Sequence, residues 1–201
     1  MLTTLLLSSI AQIQAQTENG KFIIGAGSNL EFTSTNNKWK TDYGNGDYGK
    51  SRYLDINAQI GYFVFRNFAV GLEIPYSYTK EIDENADYDY TYISSSVSFI
   101  PFVRIYAGKS NIKPYLHGGI GPGWGMTKYF DTGGDETKVP TKILAYEIGG
   151  GIGLFINEQI SIDIGLSYAS GSAKWFDKDR NENWKRTSSG IGASIGIIVY
   201  L

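Results

Sequence analysis

From Lys21 to the end of the chain, apolar side chains recur at every second position, and glycine fills many of the positions between them. A period of two is the spacing of side chains along one face of an extended strand. Ile160-Ser-Ile-Asp-Ile-Gly-Leu-Ser-Tyr168 shows it most cleanly, and Leu54–Tyr62 and Ile191–Ile197 repeat it. Phe68–Tyr78 continues it, with Pro75 on the non-apolar side. Phe22–Phe32, Val97–Tyr106, Tyr115–Lys128 and Leu144–Ile156 complete eight candidate strands. Each approaches or exceeds the roughly 10 residues that a tilted strand needs to cross a bilayer. Helical periodicity appears nowhere after residue 16, so the expected class is all-β.

The connections fall into two kinds. Short turns lie around Arg66-Asn67, Gly108–Asn111 and Asn157–Gln159, whereas polar segments 34–50, 81–89, 131–141 and 177–185 are long. Long and short alternate strictly, so all long loops leave one end of an up-and-down antiparallel array. With eight strands both termini fall at the short-turn end. This asymmetry is that of an outer-membrane barrel.

Alternation alone does not say which face is outside; a soluble lipocalin-like barrel alternates equally well with its apolar face inward. Volume separates the two. One face carries Phe22, Ile24, Ile56, Ile60, Leu72, Phe99, Trp124, Ile148, Ile164, Leu166 and Ile195, too much bulk for a lumen that side chains only just fill. The other holds most of the 25 glycines, among them Gly61, Gly71, Gly121, Gly149, Gly165, Gly192 and Gly196. The expectation is therefore small residues inside and large aliphatics toward lipid. Phe68 and Tyr78 share the outer face ten residues apart, which at ~3.3 Å per residue and ~40° tilt is roughly 25 Å, the height of an apolar band. Tyr76, Tyr78, Tyr146 and Tyr168 would mark the loop-side interface, and Phe22, Tyr62 and Phe68 the turn side.

Composition closes other routes. There is no Cys and a single His, which excludes thiolate metal sites, disulfides and multi-His centres; no cofactor or metal is expected. A net charge of −2 carries no basic surplus for nucleic acid. Leu2–Ile13 is uncharged and mostly apolar and ends at Gln14-Ala15, so residues 1–15 read as a secretory signal peptide and 16–201 as the mature domain, although no basic residue follows Met1. No later run reaches 18 apolar residues, which excludes a helical span.

Gly61-Tyr-Phe-Val-Phe-Arg-Asn-Phe-Ala-Val-Gly71 and Lys113-Pro-Tyr-Leu-His-Gly-Gly-Ile-Gly121 carry a resemblance. The chain resembles the small eight-stranded outer-membrane β-barrel superfamily of the enterobacterial OmpX-like proteins and the OmpA transmembrane domain. That resemblance implies an eight-stranded antiparallel up-and-down transmembrane barrel, probed by lipid and lipopolysaccharide outside and inserted by the barrel assembly machinery. It also implies a monomer in the outer membrane with both termini periplasmic. The family's C-terminal assembly signal maps onto Ser194, Gly196, Val199 and Leu201, with Val199 and Leu201 in place of aromatics.

Glu31, Asp55, Glu73, Arg104, His117, Glu147 and Asp163 fall on the glycine face. Counting from the turn end groups Glu73, Arg104, His117 and Asp163, and an unpaired ion in a narrow lumen costs several kcal/mol, so these four are expected to pair and plug the turn-side half. Glu31, Asp55 and Glu147 sit higher as an acidic vestibule that favours cations, unless Lys38, Lys40 and Lys142 fold over it. A nucleophilic Ser98/His117/Asp163 grouping is the one catalytic combination available, and its place near the turn end argues against an enzyme. Segments 38–49, 81–90 and 175–184 mix Tyr and Trp with charge, the composition of a recognition surface for an extracellular partner. The expected role is loop-mediated interaction or membrane integrity; the alternatives are a low-conductance cation-favouring channel and a soluble lipocalin-like carrier.

Overall fold

The computed structural model describes residues 17–41, 44–85, 88–130, 136–177 and 182–201, with the side chains of 27–50, 83–90 and 177 outside the description. The segment expected to be a leader, 1–15, lies outside the described residues. Among the described residues every regular element is a strand: β1 (Phe22–Thr41), β2 (Gly44–Phe65), β3 (Phe68–Asn85), β4 (Tyr88–Ser98), β5 (Ile100–Tyr106), β6 (Ile112–Phe130), β7 (Glu136–Phe155), β8 (Ile160–Asp177) and β9 (Glu182–Tyr200). Each pairs antiparallel with its neighbours, and β1 pairs with β9, so the sheet closes on itself. Closure is what lipid demands, since no edge strand can leave its backbone unpaired there.

Nine elements make eight spans, because β4 and β5 are two halves of one strand. Both pair with β3 and with β6, and the register runs through Ser98↔Gly123 to Phe102↔Gly119 without a slip. The break at Phe99 is chemical. Its N–H donates to the Pro122 carbonyl at 2.9 Å, but Pro122 has no N–H to return.

The strands run beyond the expected boundaries. Polar segments assigned to loops continue as paired strand: Thr35↔Ser51 and Lys38↔Asp47 in β1–β2, Ile82↔Lys50 in β3–β2, Lys138↔Lys128 in β7–β6 and Trp175↔Trp184 in β8–β9. The apolar alternation covers only part of each strand, whereas backbone pairing needs no apolar side chain and carries on beyond it. At the other end the turns are short as expected, and Asn67, at φ 64°, takes the left-handed position of the β2–β3 turn.

The faces are sorted as the volumes require. Along β5, Ile100, Phe102, Arg104 and Tyr106 are buried while Pro101, Val103 and Ile105 are exposed. Leu116, Ile148, Leu166 and Ile195 stand outside, so a lipocalin-like barrel with its aliphatics lining a cavity is ruled out. One expectation about the interior fails. Ile23, Phe63, Ala69, Tyr106, Phe155, Ile198 and Tyr200 form a buried apolar floor at the turn end, with Phe155–Tyr200 centroids 4.9 Å apart and Phe63–Tyr106 5.8 Å. Glycines one step up the same faces, such as Gly61 and Gly153, leave the width that these rings need.

Candidate functional site: a guanidinium-centred cluster in the lumen

Above the aromatic floor the interior turns polar. Arg104 of β5 lies opposite Ala69 of β3 and His117 of β6. Asp163 of β8 is flanked by Gly153 and Gly196, and Glu73 of β3 lies opposite Gln59. The small neighbours let long side chains cross the lumen. Arg104 Nη1 reaches Asp163 Oδ2 at 3.2 Å, and Nη2 reaches Gln59 Oε1 at 3.0 Å and Glu73 Oε1 at 3.7 Å. Its Nε donates to His117 Nδ1 at 3.3 Å, and Nη1 to the Tyr106 hydroxyl at 3.5 Å. The rings of Tyr115 and Phe102 lie 4.8 and 5.5 Å from its central carbon, adding cation–π attraction. Arg104, Glu73, His117 and Asp163 are all buried, and the fork geometry of guanidinium suits such multiple contacts.

The four residues grouped by sequence are thus brought together, and the structure adds members. Ser161 Oγ donates to Asp163 Oδ1 at 2.7 Å and lies 3.2 Å from the Tyr200 hydroxyl, itself 3.2 Å from that of Tyr106. Gln59, Tyr106, Ser161 and Tyr200 were not singled out, although each shares the parity of the glycine face. Lys113 was also missed, because its strand starts three residues before the expected Tyr115. It is buried at the floor, donating to Thr17 Oγ1 at 2.7 Å, with Thr17 in turn bonded to Asn67 of the β2–β3 turn.

Glu147 corrects the expected vestibule. It does not sit apart: ligand atoms of Glu73, His117 and Glu147 lie within 4.8 Å of one another. Strand tilt brings residues of unequal index to one height. Asp55 is half-buried opposite Ser77, and Glu31, its register partner in β1, has a side chain outside the description, as do Lys38 and Lys40. Lys142 does not fold over the mouth; it is exposed on the outer face of β7.

The trio spans a distance that a metal ion bridges, but its chemistry argues otherwise. Arg104 Nε can only donate, so His117 Nδ1 must accept and the imidazole proton resides on Nε2. Nε2 faces Glu73 Oε1 at 3.5 Å and presents an N–H, not a lone pair. A cavity of about 70 Å³ adjoins this cluster, lined by Asn57, Glu73, His117, Glu147, Ser167 and Ser194. It has room for a few water molecules, and Asn57 Oδ1 is buried there without a protein partner. The Ser98/His117/Asp163 combination does not form: Ser98 pairs with Gly123, six residues up β6 from His117, and Arg104 stands between His117 and Asp163.

Of the seven aromatics expected at the interfaces, Phe22, Tyr62, Tyr76, Tyr146 and Tyr168 are exposed and Phe68 and Tyr78 half-buried. Phe22–Tyr62 and Tyr146–Tyr168 sit as ring pairs 5.0 and 6.4 Å apart. Ser194 and Gly196 face the lumen on β9, with Gly196 opposite Asp163, while Val199 pairs with Ile24 and Leu201 exchanges backbone bonds with Phe22.

A family model described as the outer membrane protein beta-barrel domain matches residues 2–196. Among solved structures, the attachment invasion locus protein Ail of Yersinia pestis is similar at 18% identity and a TM-score of 0.45, covering 91% of this chain and 99% of that one. The outer membrane protein OprG of Pseudomonas aeruginosa is similar at 16% identity and a TM-score of 0.45, covering 93% and 98%. The outer membrane protease OmpT of Escherichia coli is similar at 10% identity and a TM-score of 0.43, covering 90% and 77%. No curated protein matches.

Proposed function

Because the chain belongs to the outer membrane protein β-barrel domain family, we propose that it is a non-catalytic barrel whose lumen is closed on the turn side and whose work is done from the loop-side end and outer wall. The observation that carries this reading is Arg104, which contacts side chains of β2, β3, β5, β6 and β8 and so ties five strands together across the lumen. Beneath it the buried rings of Phe63, Tyr106, Phe155 and Tyr200 narrow the lumen at the turn end. In this reading the turn side, with both termini, faces the periplasm, the aromatic pairs mark the edges of the lipid band, and the last strand carries the assembly signal at Ser194, Gly196, Val199 and Leu201. The protein works as a monomer, and its loops meet an extracellular partner.

The second reading, a small cation-favouring channel, draws on the carboxylates of Glu73 and Glu147 around the cavity. Planar-bilayer recording separates the two. The closed-lumen reading expects no resolved conductance from the wild type and a measurable one from Arg104→Ala. Cation-selective conductance in the wild type, unchanged by Arg104→Ala, overturns it in favour of the channel.

A further inference from the structure

The lumen cluster carries more negative charge than its guanidinium balances. Glu73, Glu147 and Asp163 line the cavity together with Arg104. His117 lines it too, as a neutral imidazole, because its Nδ1 accepts from Arg104 Nε. Three carboxylates against one guanidinium leave a formal deficit of two positive charges. Arg104 reaches Asp163 at 3.2 Å and Glu73 at 3.7 Å. Among the described residues Glu147 makes no ion pair with a lysine or arginine, and a buried carboxylate without a counter-charge is costly. Two buried polar atoms lack a hydrogen-bond partner beside the same cavity. His117 is 6% exposed, and its Nε2–H lies 3.5 Å from Glu73 Oε1 without forming a hydrogen bond. Asn57 Oδ1 is the second, an oxygen with no donor. One atom calls for an acceptor and the other for something positive.

We propose that Glu73, Glu147 and Asn57 form an oxygen-ligated site for a calcium ion inside the lumen. The imidazole presents an N–H and is no ligand, so every remaining donor is an oxygen: two carboxylates, Asn57 Oδ1 and the hydroxyls of Ser167 and Ser194. That is the hard ligand set of calcium, which takes about 6–8 oxygens at roughly 2.3–2.6 Å. Oxygens on opposite sides of such an ion stand about 5 Å apart, and ligand atoms of Glu73 and Glu147 lie within 4.8 Å of each other. The cavity of about 70 Å³ has room for waters that complete the shell. One of them accepts from His117 Nε2–H, while Asn57 Oδ1 meets the ion, so both unpartnered atoms are satisfied. Two positive charges make up the deficit. The ion enters from the loop side, where a Cβ added at Gly171, Gly190 or Gly192 would meet nothing within 4 Å. The site goes beyond the closed-lumen reading, since it needs the cavity and not the closure.

The test uses the full chain folded in neutral detergent, stripped of metal with a chelator and titrated calorimetrically with calcium chloride at neutral pH. One saturable site per chain is expected. Glu147→Gln removes a charged ligand that Arg104 does not hold, and should weaken binding by about tenfold or more. Glu136→Gln, on a carboxylate already held by Lys128 and Lys138, should leave binding unchanged. No saturable binding by the wild type overturns the proposal, because protons then make up the charge. Equal binding by Glu147→Gln and wild type also overturns it, placing the ion on another group of acids such as segment 81–89. Folding of each variant is read from the heat-dependent gel shift. Should Glu147→Gln lack that shift, Asn57→Ala keeps every carboxylate and gives the same comparison, with an expected loss of about tenfold. Conductance is recorded separately in planar bilayers, so failure of the closed-lumen reading and absence of a calcium site are told apart.

Discussion

The turn-side and loop-side halves of this barrel share one backbone plan and one alternation, yet their interiors are opposites. Near the turns, Ile23, Phe63, Ala69, Ile198 and Tyr200 are fully buried and the Arg104 cluster sits directly above them. Toward the loops, a Cβ added at Gly171, Gly190 or Gly192 would meet nothing within 4 Å. The lower half is held by side-chain packing and paired charge across the lumen, whereas the side-chain contacts described in the upper half run between neighbouring strands. Closing the ladder is sufficient to make a barrel; a filled interior is an addition, and here it is confined to one end.

The largest effect should come from unbalancing the filled end. Arg104→Ala leaves Glu73 and Asp163 buried without their cation, and breaking a buried pair on one side costs about 3–5 kcal/mol. Urea unfolding in detergent micelles should show that loss. Combining Arg104→Met with Glu73→Gln and Asp163→Asn removes the guanidinium together with the two carboxylates it pairs with, and most of the stability should return because neither partner of Arg104 is left as an unpaired ion. If the triple variant is as unstable as Arg104→Ala, charge balance is not what holds the lower half.

A medium effect separates the halves by a single methyl group. At Gly149 a Cβ would stand 2.6 Å from the Leu166 carbonyl oxygen and 2.7 Å from Ser167 Cβ, so strand β8 itself would have to move. Gly149→Ala should cost about 1–3 kcal/mol, as overpacking does. Gly192→Ala meets open space and should change stability by less than about 0.5 kcal/mol, or raise it slightly by restricting the unfolded chain. Equal losses at both positions would mean that the upper interior is as full as the lower.

The same division explains what could be read in the sequence. Where one face is apolar and the other small, as in Ile160–Tyr168, the period of two reveals strand, face and inside-out sorting at once. The floor escaped because runs such as Tyr62-Phe63-Val64-Phe65 are apolar on both faces, so no alternation remains to assign Phe63 inward. Strand ends escaped for the converse reason: polar stretches such as 44–50 pair through backbone groups that every residue possesses. Arg104, Glu73, His117 and Asp163 could be grouped because a lumen has few ways to satisfy an ion. Glu147 could not, since its height depends on strand tilt, which index counting along one strand does not contain.

The smallest expected effect lies at the loop-side end, on the clamp of Lys128 and Lys138 around Glu136. Hydrogen bonds from Lys138 and Lys128 hold the Glu136 carboxyl below the usual glutamate range. A carboxyl lowered in the folded state contributes whatever stability it has above its unfolded value, about 4.3, and loses it as pH falls through the lower folded value. Both partners are solvent-accessible, so the contribution to folding is slight and the titration itself is the better readout. A carbon-detected NMR titration of Glu136 should give a midpoint below that of a model glutamate, and Lys138→Ala should move it upward. A midpoint at or above the model value would mean that Lys128 and Lys138 are not neutralised. Paired charge would then be a property of the turn-side half, and the contrast between the two ends would be sharper.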